Sequence, residues 1–426
     1  MPQFSIPLSG LNASSQALSV ISNNLANLNT DGYKDQESSF ADVFYQTIGT
    51  AGSGNLLQIG NGTSVNAITT NFNDGSPTST GVTTDMAISG DGFFITQDST
   101  GQTLYTRSGN FTKNNIGQLT TQDGSLVMGY MANNGVITPG GTALGPIQVA
   151  GITNPASETQ NIQVTSNLDA GATADASSVL NAPVTIYDSL GVTHNLNIAF
   201  TKTAANTWSY AVTIPAADIT AGSTTLASGT MGFNSSGVLT TITPTAGVPA
   251  PAANLTFNVT NLADKAADMT GGTAITWNLF DSSNNPVITQ LASPSTTSGT
   301  SQDGYTSGTL QSFTVDSTGV IQGTFSNNRT ASVGQVALAM FGNPQGLQRA
   351  GDNSFQATLP SGPAVVGAPG SGGRGSITGG ALELSNVDVA TEFSNLIIAQ
   401  RGYEANAKVV TTMNTITQDT INLIQG

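Results

Sequence analysis

The sequence contains no cysteine and a single histidine, His194. The absence of cysteine excludes disulfides, thiolate metal sites and cysteine nucleophiles. Transition-metal binding and Ser-His-Asp catalysis both need several converging groups, and one histidine offers little basis for either. We therefore expect no metal site, no cofactor and no catalytic residue. We expect His194 to be a structural or exposed residue of a β-strand, without a carboxylate cluster around it.

Charge is also scarce, at 8% of the 426 residues, and acidic residues outnumber basic ones by 25 to 10. Nucleic acids and anionic membranes attract clustered Lys and Arg, so neither is an expected partner. No segment reaches the roughly 18 consecutive apolar residues of a membrane span, and we expect no membrane insertion. The N-terminus lacks the positive region and unbroken apolar core of a cleavable signal, which leaves a cytosolic protein or export without cleavage.

Two patterns resemble catalytic or cofactor motifs. Gly370, Gly372 and Gly375 match G-x-G-x-x-G, but they lie in a Pro/Gly/Ser tract without the flanking strand and helix of a dinucleotide site. Asp91 and Asp98 occupy turn signatures in which Asp bonds to the backbone, so they are poor candidates for an acid/base pair acting on glycans. The sequence predicts that the protein is not an enzyme.

The N-terminal 30 residues contain no charged side chain, yet they have a helical repeat. Apolar residues recur every seven positions at Phe4, Leu11, Leu18 and Leu25, and a second line follows three positions later at Ser14, Ile21 and Leu28. This pattern predicts a helix with an a/d seam that packs on another helix, although a helix docked on a globular core fits the period equally well. The helix is expected to end in an exit turn that directs the chain outward, formed by Asn29, Asp31, Gly32 and Tyr33.

The C-terminal segment has a matching seam, preceded by Ser385 and Asp388 at capping-box spacing. One apolar line contains Val389, Leu396, Tyr403 and Val410, and a second contains Val409, Ile416 and Leu423 beside Met413. Two helices at opposite ends of the chain have little else nearby to pack on. We predict that they form a polymer interface through Leu11, Leu18, Ile21, Leu25, Leu28, Val389, Leu396, Tyr403, Val410 and Met413.

Between the helices the apolar period changes to two, as in β-strands. Residues 92–107 and 312–325 each predict a hairpin around the same Asp-Ser-Thr-Gly turn, and residues 182–214 predict an antiparallel domain between linkers at 154–160 and 293–304. The predicted fold is mainly β with paired, coiled-coil-like N- and C-terminal helices in a nested multidomain chain. Its predicted parts are a terminal helical domain (1–32 plus 384–426), a connecting extended segment (33–69), an inner β domain (70–160 plus 303–383) and an outer inserted β domain (161–302).

Both ends of the chain resemble one family. Residues 10–34, GLNASSQALSVISNNLANLNTDGYK, resemble the N-terminal motif of flagellar rod and hook proteins, and residues 382–410 resemble their C-terminal motif. Residues 88–96 and 105–130 are similar to the β core of these axial proteins. The long insertion, with VTIYDSLGVTHNL at 184–196, resembles the hook members of the family more than the shorter distal rod members.

The resemblance implies a structural subunit of a homopolymeric, flexible tube that joins the rod to the filament. Its implied partners are further copies of itself, the distal rod protein, the hook cap scaffold, the hook–filament junction protein and the flagellar export apparatus. It also implies type III export without cleavage and a location in the extracellular part of the flagellum. The alternatives are a rigid distal rod protein or a secreted β-rich adhesin or glycan-active protein, and the last would need an aromatic platform or a close acid pair.

Overall fold

The computed structural model describes residues 4–52, 54–133, 135–138, 143–245, 250–251 and 253–425. The chain divides into two compact units. Unit 1 comprises Met1–Ile152, Gln311–Thr324 and Thr330–Gly426, and unit 2 comprises Thr153–Leu310 and Phe325–Arg329. The finer division into four parts stays a prediction.

Unit 1 contains both terminal helices, α1 (Ser5–Ala26) and α2 (Val389–Gln425), which pack against each other. The predicted mainly β fold with paired terminal helices is confirmed, while the coiled-coil character of the pair stays a prediction. Within the described part of the chain, no helix combines the length and hydropathy that crossing a bilayer requires.

The start of α2 differs from the capping box predicted at Ser385. The N-cap is Asp388, whose Oδ1 accepts the N–H of Thr391 at 2.7 Å, while Ser385 Oγ accepts the N–H of Val387 at 3.4 Å. A side-chain oxygen immediately before the first helical residue can reach the unpaired N–H groups of the first turn, and Ser385 lies too early in the chain to do so.

The strands lie in chain order between the helices. Those that precede unit 2 are β1 (Gln36–Asp42), β2 (Gln46–Thr50), β3 (Leu56–Ile59), β4 (Thr63–Thr70), β5 (Pro77–Ser79), β6 (Met86–Ser89), β7 (Phe93–Gln97), β8 (Thr103–Thr106), β9 (Thr112–Lys113), β10 (Leu119–Thr120), β11 (Leu126–Met131) and β12 (Gly145–Pro146). Those that begin in unit 2 are β13 (Thr153–Asn154), β14 (Asn161–Asp169), β15 (Val179–Tyr187), β16 (Thr193–Ala204), β17 (Thr207–Thr213), β18 (Thr225–Phe233), β19 (Leu239–Pro244), β20 (Ala250–Pro251), β21 (Leu255–Phe257), β22 (Ile275–Asn278), β23 (Ile288–Leu291), β24 (Thr296–Gln302) and β25 (Gly308–Val315). The remainder are β26 (Val320–Phe325), β27 (Thr330–Val336), β28 (Leu338–Met340), β29 (Gln348–Gly351), β30 (Ser354–Gln356), β31 (Val365–Gly367), β32 (Ser376–Gly379) and β33 (Ala381–Glu383).

In unit 1, strands from both sides of the insertion pair with one another. The main sheet has the order β26-β27-β11-β7-β8-β30-β29, and β32 pairs with β6 and β33 with β5 in separate ladders. Its core contains an aromatic cluster in which Phe93 lies edge-on to Phe341 and Phe355 at centroid distances of 5.9 and 5.7 Å. The segment predicted as a connecting stretch contains two ladders, β1 with β4 and β2 with β3.

The two predicted Asp-Ser-Thr-Gly hairpins are confirmed. β7 pairs with β8 and β25 with β26. In each turn one aspartate oxygen accepts two backbone N–H groups: Asp98 Oδ1 those of Thr100 and Gln102, and Asp316 Oδ1 those of Thr318 and Val320. The same four residues therefore form the same turn twice, because the side chain of the aspartate supplies the closing hydrogen bonds locally.

Unit 2 contains two sheets, and the prediction of antiparallel structure holds for one of them. The sheet β15-β16-β17-β18-β19-β20 is antiparallel throughout. In the other, β14 pairs in parallel with β22 and β23 and antiparallel with β24, so the antiparallel prediction is wrong there. The two sheets share a core that includes Phe200, Trp208 and Trp277.

Two further expectations for unit 2 are wrong. The polar segment 293–304, predicted to be a linker, contains β24, which pairs with β14 along its length. Most side chains of β24 are exposed. The strand is held by backbone pairing, so its sequence lacks the alternation of apolar and polar residues that marks a half-buried strand. His194 is buried, and carboxylates from Asp188, Asp218 and Asp264 each approach a ring nitrogen within 3.5 Å. Asp188 lies in the turn just before the histidine, but Asp218 and Asp264 come from distant segments that no local pattern links to it.

Candidate functional site at the paired helices

Helices α1 and α2 meet through small residues. A Cβ atom at Gly10 would lie 2.8 Å from the side chain of Asn406, and one at Gly402 would lie 3.3 Å from Ser14 Oγ. Asn406 Nδ2 donates to the Gly402 carbonyl at 2.9 Å, so its side chain is directed along the helix. On α1 the buried face is formed by Pro7, Ala13, Ala17, Val20, Ile21 and Asn24. The close approach therefore uses glycine and alanine rather than the predicted leucine line.

The predicted interface residues lie mostly beside this contact rather than within it. Ile21 is buried. Those that are half-buried are Leu11, Leu18, Leu25, Leu28, Leu396, Val410 and Met413. Val389 and Tyr403 are exposed, and Leu28 follows the end of α1, whose C-cap is Asn27. The role of these residues between subunits stays a prediction.

A second apolar face on α2 was only partly visible in the sequence. Phe393, Ile397 and Ile398 are 51%, 51% and 68% exposed and lie outside both predicted lines. The exposed Val409 and Ile416 continue the face and belong to the second predicted line. The sequence signal that could have identified Phe393, Ile397 and Ile398 is their spacing at positions i, i+4 and i+5 of the helix.

A cleft of about 360 Å³ lies between α1, α2 and β1. Its lining includes Ala17, Ile21, Phe40, Glu392 and Ile398. Burial raises the pKa of the Glu392 carboxyl, and the negative charges of Asp35, Glu37 and Asp388 raise it further. A hydrogen bond from Asn24 acts in the opposite direction. The cleft thus combines an apolar wall with a carboxyl group that is harder to ionise than usual.

Asn24 fixes the end of α1 to the first strand. Its side chain is fully buried, with Nδ2 donating to the Gln36 carbonyl at 2.8 Å and Oδ1 accepting the Gln36 N–H at 3.0 Å. The Tyr33 hydroxyl also donates to Asn24 Oδ1 at 3.2 Å. The role of Asn24 was not predictable from the sequence, because an asparagine on a polar helix face carries no sign of burial.

The predicted exit turn is packed tightly against the β core. Gly32 has φ +68°, and a Cβ atom there would lie 2.6 Å from the backbone of Arg107, so only glycine fits. Its N–H donates to the Glu383 carbonyl at 2.7 Å, and the Asp31 carbonyl accepts Asn353 Nδ2 at 2.7 Å. Tyr33 is buried beneath the Arg349 guanidinium at 5.3 Å, whereas Asn29 is exposed.

A buried charge network lies directly after this turn. Lys34 Nζ donates to Glu383 Oε1 at 2.6 Å and to the Asn73 carbonyl at 2.6 Å. Arg107 Nη1 lies 3.5 Å from Glu383 Oε2 and 3.4 Å from Asp74 Oδ1. Burial lowers the pKa of Lys34, against the opposing effect of Glu383. The network joins the start of the chain to β33, the last strand before α2.

Comparison with known protein families gives matches along most of the chain. Residues 6–34 match the flagella basal body rod protein family, and residues 87–167 match the flagellar hook protein FlgE/F/G D1 domain. Residues 159–305 match the flagellar basal body protein FlaE D2 domain, and residues 378–423 match the flagellar basal body rod FlgEFG protein C-terminal family. The chain is 36% identical to flagellar hook protein FlgE of Salmonella typhimurium over 99% of both chains. It belongs to the flagellar hook protein family.

Other hook proteins are also similar to this chain. This hook protein is 32% identical to flagellar hook protein FlgE of Treponema pallidum over 98% of both chains. The crystal structure of Helicobacter pylori flagellar hook protein FlgE2 is similar at 15% identity with a TM-score of 0.46, covering 70% of this chain and 98% of that one. The hook protein is a structural subunit of the bacterial flagellum, as the sequence resemblance implied.

Proposed function

We propose that this hook protein assembles with copies of itself into a flexible tube, with α1 and α2 as the contact surface between subunits. The observation that carries the proposal is the apolar face of α2 that the chain itself leaves uncovered. Phe393, Ile397 and Ile398 lie on this face and are each at least half exposed. Large apolar side chains left exposed together along one stretch of a helix are typical of an interaction surface.

Charge also favours contact between copies. No side chain of α1 is charged, so helices of neighbouring subunits meet without like-charge repulsion. The half-buried side chains of Leu11, Leu18, Leu25, Leu396 and Val410 border the close contact between α1 and α2. A neighbouring helix placed there would bury them further and gain about 25 cal/mol for each Å² of apolar surface removed from water.

In this proposal the subunit works without catalysis, cofactor or metal at the helix pair. The assembled tube couples the rod to the filament outside the cell, and its ends meet the distal rod protein, the hook cap scaffold and the hook–filament junction protein. The subunit reaches its position through the flagellar type III export apparatus. The nested domain division predicted from the sequence belongs to the same proposal.

The test replaces Ile397 and Ile398 together with serine. The expected result is at least a tenfold rise in the protein concentration needed for tubes to form, because about 1.4 kcal/mol lost per subunit contact is tenfold in affinity. Sedimentation and electron microscopy of the purified chain under polymerising conditions measure it. The matched control is the pair Thr411→Ser and Thr415→Ser on exposed positions of the same helix, which should polymerise like the unmodified chain. Tubes of the isoleucine variant at unchanged concentration would contradict the proposal.

A further inference from the structure

Three aspartates surround the only histidine of the chain, within unit 2. His194 Nε2 lies 3.3 Å from Asp188 Oδ2 and 3.5 Å from Asp264 Oδ2, and Nδ1 lies 3.5 Å from Asp218 Oδ2. The side chain of His194 is 4% exposed and that of Asp188 is 0% exposed. Both ring nitrogens therefore face carboxylate oxygens, and the imidazole itself is shielded from water.

Backbone hydrogen bonds hold two of the carboxylates in place. Asp188 Oδ1 accepts the N–H groups of Leu190 and Val192 at 2.9 and 2.8 Å. Asp264 Oδ1 accepts the N–H of Ala266 at 3.0 Å. Each aspartate thus uses one oxygen for its own loop and directs the other, Oδ2, at His194 Nε2. The arrangement is fixed before any ligand arrives.

The cluster is short of hydrogen-bond partners. Among the described residues, neither His194 Nδ1 nor Asp264 Oδ2, both buried, has a hydrogen-bond partner. The two carboxylate oxygens that face Nε2, Asp188 Oδ2 and Asp264 Oδ2, lie within 4.8 Å of each other. A cation placed between two carboxylates this close together would offset their mutual repulsion.

A divalent cation balances the site better than a charged imidazole does. Protonation of His194 would offset one of the three carboxylate charges and would leave Nε2 unable to act as a ligand. A divalent ion offsets two charges and uses the imidazole in its neutral form, the form in which histidine binds metals.

We propose that Asp188 Oδ2, His194 Nε2 and Asp264 Oδ2 bind a divalent first-row transition metal ion, with Zn²⁺ as the expected ion. The three ligand atoms lie within 4.8 Å of one another. Ligand atoms about 2.0–2.1 Å from a tetrahedral Zn²⁺ lie roughly 3.3–3.4 Å apart, which matches the two distances from Nε2. The nitrogen ligand disfavours Ca²⁺ and Mg²⁺, which prefer sites built from oxygen alone.

Asp218 acts as a positioning residue in this site. A metal-binding imidazole usually donates its other N–H to a carboxylate, which fixes the ring orientation and strengthens the metal bond. Asp218 Oδ2 is placed to accept this N–H from Nδ1 at 3.5 Å.

The metal would join three segments of unit 2: the turn after β15, the start of β16 and the loop that carries Asp264. Binding to the folded chain alone stabilises it in proportion to the logarithm of the free metal concentration. The inference does not rest on the proposed function, because none of the four residues lies on α1 or α2.

The test uses the untagged full chain, since a histidine tag would bind metal itself. With His194 labelled at Cε1 with ¹³C, the spectrum contains a single imidazole resonance, because the chain has one histidine. One equivalent of Zn²⁺ should shift this resonance completely, and Co²⁺ should produce the strong visible absorption of a tetrahedral site. Zn²⁺ should also raise the midpoint of thermal unfolding followed by tryptophan emission.

Variants separate ligands from neighbours. Asp264→Asn should weaken Zn²⁺ binding at least tenfold, and Asp218→Asn should weaken it about 10- to 100-fold while leaving the tetrahedral Co²⁺ spectrum in place. The control is Asp268→Asn, because Asp268 Oδ1 caps the Asn261 N–H at 2.7 Å outside the metal site. It should bind like the unmodified chain.

The proposal is overturned if neither ion, at millimolar concentration, shifts the imidazole resonance of the unmodified chain. That result would identify the cluster as a histidine hydrogen-bonded to aspartate, without a metal site. The proposal is also overturned if the Asp264→Asn variant binds Zn²⁺ as tightly as the unmodified chain does. The first measurement needs no variant, so a substitution that fails to fold leaves the test intact.

Discussion

Unit 2 and the helix pair of unit 1 bury apolar surface in opposite ways. Unit 2 encloses large side chains, with Phe200, Trp208 and Trp277 almost completely buried between its two sheets. The helices meet through Gly10 and Gly402 and leave large apolar side chains of α2 exposed. Unit 2 is therefore stabilised by its own core, whereas the helix pair leaves large apolar side chains in contact with water.

The two regions can be observed separately in one experiment. Both tryptophans of the chain lie in unit 2, and both α-helices lie in unit 1. Tryptophan emission therefore reports on unit 2, and the helical signal of far-UV circular dichroism reports mainly on α1 and α2. If the two signals change at different denaturant concentrations, unit 2 and the helix pair unfold separately, and each has its own free energy of unfolding.

The largest effect is expected in the core of unit 2. Phe200→Ala removes a fully buried ring that lies 5.9 Å from the Trp277 ring, and it should lower the unfolding free energy of unit 2 by about 3 to 5 kcal/mol. Denaturant unfolding followed by tryptophan emission should show the loss, while the helical transition stays in place. Val179→Ala on the neighbouring strand is the control, because Val179 is exposed. Equal losses from both substitutions would argue against a self-sufficient core.

A somewhat smaller effect is expected from the charge network below the helices. Glu383→Gln leaves the buried Lys34 ammonium without its carboxylate and should cost about 3 kcal/mol. The helical transition should move and the tryptophan transition should not. Glu404→Gln removes an exposed carboxylate of α2 and should change neither. A shift of the tryptophan transition alone would show that the network does not support the helix pair.

The cap of α2 should have a smaller effect again. Asp388→Ala removes the acceptor for the Thr391 N–H and should destabilise the helical transition by about 1 kcal/mol. Asp388→Ser keeps a capping oxygen and should restore most of the loss. The same unfolding midpoint for the alanine and serine variants would show that the cap is not the cause.

The smallest effect concerns acidity. The folded-state pKa of Glu392 is raised above its ordinary value of 4.5 by burial, so the folded chain holds this proton more tightly than the unfolded chain. Its contribution to stability is therefore present at low pH and is lost as the pH rises through the folded pKa. Glu392→Gln should raise the midpoint of the helical transition at neutral pH and reduce its decline with rising pH. With Glu404→Gln as control, an unchanged pH dependence would contradict this assignment.

Local features of the fold were predictable from the sequence, but which distant strands pair with each other was not. The turns at Asp98 and Asp316 close through hydrogen bonds within four residues, so a short motif suffices to predict them. The parallel pairing of β14 with β22 and β23 depends on segments far apart in the chain. Strand β24 was missed because its exposed Ser and Thr residues lack the alternation that marks a half-buried strand.

The same distinction applies to the sites. Heptad spacing identified α1 and α2, and Gly32 was recognised as part of the exit turn because a turn there needs a residue that tolerates positive φ. The small-residue contact at Gly10 and Gly402 was not predictable, because a seam defined by large apolar residues says nothing of how closely two helices approach. The cluster at His194 was missed because Asp218 and Asp264 come from segments far from the histidine in the chain.

The order in which the chain folds follows from the position of its ends. Lys34 and Glu383, which join the two termini of unit 1, are 349 residues apart, whereas the hairpin of β15 and β16 joins Thr185 to Asn195 across ten. Closing a long loop costs more entropy and takes longer than closing a short one. We expect the β hairpins to form early and the helix pair late, with tryptophan emission recovering before the helical signal in refolding. A subunit joining the tube would then fold most of its β structure before it forms the helical surface that is proposed to contact neighbouring subunits.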